Sequence, residues 1–184
     1  RDFAIINLST FLIYGALYIS SYYQAIFFQG TLGYSALAAG AVGLPVSILL
    51  TLFSARVGSL VKRFGLRFFL TLGPMLMALG LAWLMRLPGD SSPWVAQLVN
   101  PASLWPSAGY WRDVFPAMIF YALGLTLLVA PLTTGLMASV PAERTGLGSA
   151  INNAISRVGP QLAGALIFVL ITSAFYSNLA RETG

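Results

Sequence analysis

Residues 58–67 read Gly58-Ser-Leu-Val-Lys-Arg-Phe-Gly-Leu-Arg67, a short cationic stretch bounded by glycine and set between two long apolar runs. A run so short and charged cannot rest in hydrocarbon, so it is expected to turn at a membrane face. Arg56, Lys62, Arg63 and Arg67 assign that face to the cytoplasm, because basic residues in short loops are retained there.

The composition agrees with that placement. Hydrophobic residues make up 58% of the 184, charged residues only 8%, and the mean hydropathy is +0.81. A soluble domain carries about a quarter charged residues. Cysteine and histidine are absent, which removes disulfides, thiol nucleophiles, the usual zinc ligands and imidazole catalysis together. No metal, cofactor or enzymatic activity is expected. The formal charge of +5 is explained by topology, since most of the cations fall in the proposed cytoplasmic segments, and no nucleic-acid partner is expected. The chain starts at Arg1-Asp2 without the pattern of a signal peptide. It is expected to be part of something longer.

Working outward, five apolar runs are expected to span a membrane: 3–28, 36–57, 68–84, 114–140 and 146–176, each near the ~20 residues that one crossing needs. At 100° per residue, the first run gathers Asn7, Thr10, Tyr14, Tyr18, Ser21 and Tyr22 on one side, opposite Leu8, Leu12, Ile19 and Ile26. Hydroxyls and an amide so segregated should border helices or water, and Asn7, Tyr14, Tyr18 and Ser21 are candidate cavity residues. Tyr22 and Tyr23 are read as interfacial tyrosines. Residues 29–35 form a short outer turn. The second run opens with Ala36, Ala39, Gly40 and Gly43, small residues that let backbones approach. Pro45 is expected to bend it at mid-depth. In the fourth run Gly124, Pro131 and Gly135 share a side with Ala117 and Ala138, an expected packing seam.

Residues 86–113 form an outer loop with four prolines and Trp94, Trp105 and Trp111. With Trp83 these suggest an aromatic belt. Residues 141–145 make an inner turn. The fifth run places Ser149, Asn152, Asn153, Ser156 and Arg157 on one broad face, with Gln161 at its edge. A cation as deep as Arg157 costs about 2.5–3.5 kcal/mol on insertion scales, so it must face a partner or water. Arg1, Arg56, Lys62, Arg63, Arg67 and Arg144 lie inside in this topology, against Arg86, Arg112 and Arg181 outside. Residue 1 is therefore expected to be cytoplasmic and residue 184 external.

Gly58, Leu60, Arg63, Gly65 and Arg67 fit the loop signature Gly-x-Leu-x-Asp-Arg-x-Gly-Arg-Arg/Lys of the major facilitator superfamily. Lys62 stands where the family has Asp, and Leu66 replaces its first basic residue after the glycine. Tyr14-Gly-Ala, residues 29–33, Ala39-Gly40, Leu44-Pro45, Tyr110-Trp111, Ala130-Pro-Leu-Thr-Thr134 and Gly146-Leu-Gly-Ser-Ala150 follow in an order that resembles the second half of fourteen-helix drug:proton antiporters of the EmrB/QacA type. The resemblance covers nearly the whole chain. It implies an all-α membrane protein whose five transmembrane helices, residues 1–184, form most of one six-helix C-terminal bundle, lacking its last helix and the N-terminal half of the same transporter.

The resemblance also implies proton-driven export of drugs or amphipathic compounds across the cell membrane by alternating access, with Gly58, Leu60, Lys62, Arg63, Gly65 and Arg67 as a gating loop. The expected partners are membrane lipid, a small-molecule substrate and the missing half. The substitution at Lys62 removes the acid with which the family's loop bonds to its other bundle. The five acids, Asp2, Asp90, Asp113, Glu143 and Glu182, lie in loops or near the termini, so any proton-carrying carboxylate is expected elsewhere. Two alternatives stand beside the exporter. One is a transporter of organic anions, sugars or siderophores, in which Arg157 would attract the anionic group. The other is a membrane scaffold that does not transport.

Overall fold

The computed structural model describes residues 2–87 and 91–183. They form six α-helices: α1 Asp2–Ile26, α2 Ala36–Ala41, α3 Leu44–Phe64, α4 Leu66–Leu84, α5 Phe115–Ala138 and α6 Thr145–Thr183. Five stretches are long and apolar enough to cross a membrane: Phe3–Thr31, Ala36–Phe64, Leu66–Leu84, Tyr110–Ala138 and Ala142–Leu179. The protein is an all-α membrane protein. It divides into two compact units, Arg1–Tyr23 with Leu136–Gly184, and Gln24–Gly135.

Helix boundaries follow local chemistry. The first span does not end at residue 28. It continues as a π-helical turn, Phe27–Thr31, in which the Leu32 amide donates to the Phe27 carbonyl at 3.0 Å. Ser35 then caps α2, accepting from the Ala38 amide at 3.3 Å. The second span is broken at Val42–Gly43 rather than bent at Pro45. Pro45 sits in the first turn of α3, where its missing amide hydrogen has no helical acceptor to satisfy.

The unit of residues 24–135 is built on a close crossing of α4 and α5. A Cβ on Gly80 would lie 2.6 Å from the Ala117 carbonyl oxygen, and one on Gly124 would lie 2.5 Å from that of Gly73. Only glycine permits this approach, and dispersion between the backbones replaces the hydrophobic drive that lipid cannot supply. Of the seam expected from Ala117, Gly124, Pro131, Gly135 and Ala138, Ala117 and Gly124 lie in this interface, and Gly135 is set against Leu66 of α4.

Residues 91–109 are folded against the turn before α2. Ser35 donates through its amide to the Trp94 carbonyl (3.2 Å) and through its hydroxyl to that of Ala96 (3.0 Å). Trp94 is buried, packs against Tyr110 with ring centroids 5.1 Å apart and the planes inclined at 50°, and donates its indole N–H to the Ser103 carbonyl at 3.1 Å. It serves this small aromatic core, whereas Trp83, Trp105 and Trp111 are exposed. Burial also raises the pKa of the Tyr34 phenol, against the pull of a hydrogen bond with Ser107.

In the other unit, α1 and α6 run parallel, because their contacts advance together along both chains. A Cβ on Gly159 would meet the Phe11 carbonyl at 2.8 Å, and one on Gly15 would meet Ala163 at 3.0 Å.

Candidate functional site

Asn152 of α6 donates from one Nδ2 to Asn7 Oδ1 at 3.1 Å and to Thr10 Oγ1 at 2.9 Å. Asn7 donates its own Nδ2 to the Phe3 carbonyl at 2.9 Å, which leaves its oxygen as the acceptor. Thr10 donates to the Ile6 carbonyl at 2.9 Å and is thereby free to accept. Asn7 is 5% exposed and Thr10 0%. These bonds clamp α1 to α6 on the N-terminal side of the Phe11–Gly159 contact. Asn7 and Asn152, read from the sequence as cavity residues, are joined here by an interhelical bond. Thr10 completes the clamp; its place on the polar side of α1 was the available signal.

Further along the same pair lies a cleft of about 310 Å³, lined by Tyr18, Ile19, Tyr22 and Tyr23 from α1 and by Pro160, Gln161, Gly164 and Phe168 from α6. Tyr18 and Gln161 were expected to face a cavity. Tyr22 and Tyr23, expected only at the interface, meet edge to face at 5.5 Å and form one wall. Phe168 was not anticipated, although Arg157, Gln161, Gly164 and Phe168 repeat at i, i+4, i+7 and i+11, one stripe of a helix. Arg157 thus lies one turn before Gln161 on the stripe that lines the cleft. It is exposed, as are Ser21, Ser149, Asn153 and Gln161. Tyr14 is half-buried, and Ser156 turns its hydroxyl back to the Asn153 carbonyl at 2.9 Å. Four aromatic side chains, a carboxamide and a nearby guanidinium can hold an amphipathic molecule, by ring contact along its apolar part and hydrogen bonds at its polar end.

The cationic stretch is mostly helical. Gly58, Leu60, Lys62 and Arg63 belong to α3, which ends at Phe64, and Arg67 lies in the first turn of α4. Gly65 alone makes the turn, with φ 79° and ψ 154°, and its amide donates to the Val61 carbonyl at 2.9 Å. A side chain there would be strained although the space is open. Lys62, Arg63 and Arg67 are exposed, and the Arg63 guanidinium lies 5.5 Å from the Phe64 ring centroid. The expected ten-residue loop is therefore a one-residue hinge between helices with cationic ends.

No family model matches the chain, and no solved structure matches it. Among curated proteins, the chain is 29% identical over 162 residues to the multidrug resistance protein Stp of Mycobacterium tuberculosis, covering 85% of this chain and 25% of that protein. It is 23% identical over 184 residues to an uncharacterized MFS-type transporter, YhcA, of Bacillus subtilis, covering 98% of this chain and 31% of that one. The chain thus spans between a quarter and a third of the length of these relatives. They bear out the resemblance to the major facilitator superfamily read from residues 58–67 and the ordered motifs around them.

Proposed function

We infer that this chain is part of a secondary active transporter of the cell membrane that exports drugs or other amphipathic organic compounds by alternating access coupled to protons. Similarity to a multidrug resistance protein and to an MFS-type transporter supports the transporter class. The observation that carries the substrate class is the aromatic cleft of Tyr18, Tyr22, Tyr23 and Phe168 with Gln161 at its edge. Rings of this kind accept flat apolar bodies and, through their faces, organic cations. In this reading residues 1–184 are a partial C-terminal bundle, and the opposing wall of the cavity and the proton-carrying acid lie in the other half. Residues 58–67 act as its cytoplasmic gating hinge.

Arg157 favours a second reading, transport of organic anions, because an exposed guanidinium one turn from the cleft attracts a carboxylate or phosphate and repels a cation. Transport by the full-length protein in inverted membrane vesicles separates the two. Uptake of a cationic dye that stops when the proton gradient is collapsed supports the exporter. Uptake of an organic anion without the dye supports the second reading, and accumulation of neither would overturn both.

A further inference from the structure

A second cleft, of about 280 Å³, opens on the unit of residues 24–135, between Leu79, Ala82, Trp83 and Arg86 of the α4 end and Phe120 of α5. Gly80 holds the two backbones together behind it, and the Trp83 and Phe120 rings, 6.4 Å apart between centroids, stand at its sides. Leu79, Trp83 and Arg86 repeat at i, i+4 and i+7, so the cleft follows the axis of a membrane-spanning helix and ends on a cation. From Leu79 to Arg86 it runs about 10 Å, most of one leaflet of a hydrocarbon core ~30 Å thick. Leu79 and Trp83 are exposed along this length.

We propose that this cleft binds a phospholipid, with an acyl chain along Leu79, Ala82 and Phe120, the phosphate at the Arg86 guanidinium and the glycerol esters at the Trp83 indole. Charge and depth select the ligand. Arg86 lies just beyond the last residue of α4, Leu84, at the level where lipid phosphates meet water, and tryptophan favours the same level. A further spanning helix is a poor occupant. It would need a seat about 30 Å long, and it would have to satisfy a guanidinium at one end of a groove a third of that length.

The test is a lipid titration of the purified full-length transporter by native mass spectrometry. Dioleoylphosphatidylglycerol is the probe, dioleoylglycerol supplies the chains without the phosphate, and glycerol 3-phosphate supplies the phosphate without the chains. The expected result is tight binding of the phospholipid alone, weakened about fivefold by Arg86→Gln, on the scale of one surface cation against an anionic headgroup. Ala82→Trp, which fills the groove while leaving the cation, should displace it as well. In vesicles, a phospholipid brominated on its acyl chain should quench more tryptophan fluorescence in the parent protein than in Trp83→Phe. Unchanged binding in both Arg86→Gln and Ala82→Trp, or equal quenching with and without Trp83, overturns the proposal. So does competition by glycerol 3-phosphate at the affinity of the phospholipid, which would mark a site for small anions.

Discussion

At the scale of single residues, one bonded pair and one glycine separate packing from function. Asn7 and Asn152 carry the only side-chain amides of the α1–α6 clamp, and interhelical hydrogen bonds in membranes average about 0.6 kcal/mol with a ceiling near 1.7. Asn7→Ala and Asn152→Ala should each lower the unfolding temperature of the full-length protein, and the double variant should lose less than the sum of the two. Thermal unfolding in one detergent measures this, and strict additivity would mean the bond contributes nothing. If these amides instead contacted substrate, selectivity would change at unaltered stability. Gly65 is the glycine. With φ at 79°, Gly65→Ala must strain the α3–α4 hinge by about 1 kcal/mol or more, whereas Gly40→Ala, in a helix with no atom near the new Cβ, should not destabilise. Equal stability of the two variants would show that the hinge relaxes freely. The sequence made the hydroxyl-and-amide side of α1 legible, since helical periodicity alone sorts Asn7, Thr10, Tyr14 and Tyr18. It could not say that Asn152 would reach Asn7, because that depends on the rotation of α6 about its own axis.

The elements show the same division between local and non-local information. Gly124, Pro131 and Gly135, on one side with Ala117 and Ala138, announced a seam, and the structure sets Gly73 and Gly80 of α4 in backbone contact with its Gly124 and Ala117. Gly80→Leu should prevent that approach and cost more than a typical large-for-small core change of about 1–3 kcal/mol, visible as loss of folded protein after detergent extraction. Near-normal yield of Gly80→Leu would require the helices to separate without penalty. Boundaries were less legible. The helix break at Val42–Gly43 and the π-helical turn at Phe27–Thr31 arise where apolar runs continue through the bend, so hydropathy does not mark them, whereas the cations around Gly65 marked a turn without showing that it is one residue long. The burial of Trp94 was also hidden, because an interfacial tryptophan and one packed on Tyr110 share one composition. Along α6, Arg157, Gln161, Gly164 and Phe168 form one stripe, and Arg157 is exposed. Arg157→Ala should abolish transport and Arg157→Lys should retain part of it, both at near-normal membrane abundance, because lysine keeps the charge without the planar fork. A wild-type rate in Arg157→Ala would remove this side chain from the site.

At the scale of the whole molecule, orientation in the membrane follows from charge placed at opposite ends of helices. Lys62 and Arg63 close α3, Arg67 opens α4, and all are exposed at the single turn between them. The other end of α4 leads into residues 91–109, where Val99 is 95% exposed at the tip of a segment fixed by Ser103, whose hydroxyl bonds the carbonyls of Gln97 and Asn100. Short basic connections stay in the cytoplasm because moving arginine and lysine across the bilayer is costly, and longer segments of nearly balanced charge cross more readily. The turn at Gly65 should therefore lie inside and the segment at Val99 outside. Because the chain contains no cysteine, single cysteines in an otherwise cysteine-free full-length protein report this directly. Val99→Cys should react with a membrane-impermeant maleimide in intact cells, and Ser59→Cys, exposed one turn before Lys62, only after the membrane is opened. Both side chains are exposed on the chain, so a difference in labelling reports sidedness rather than burial within it. Labelling of Ser59→Cys but not Val99→Cys in intact cells would invert the topology and place the cationic hinge on the external face.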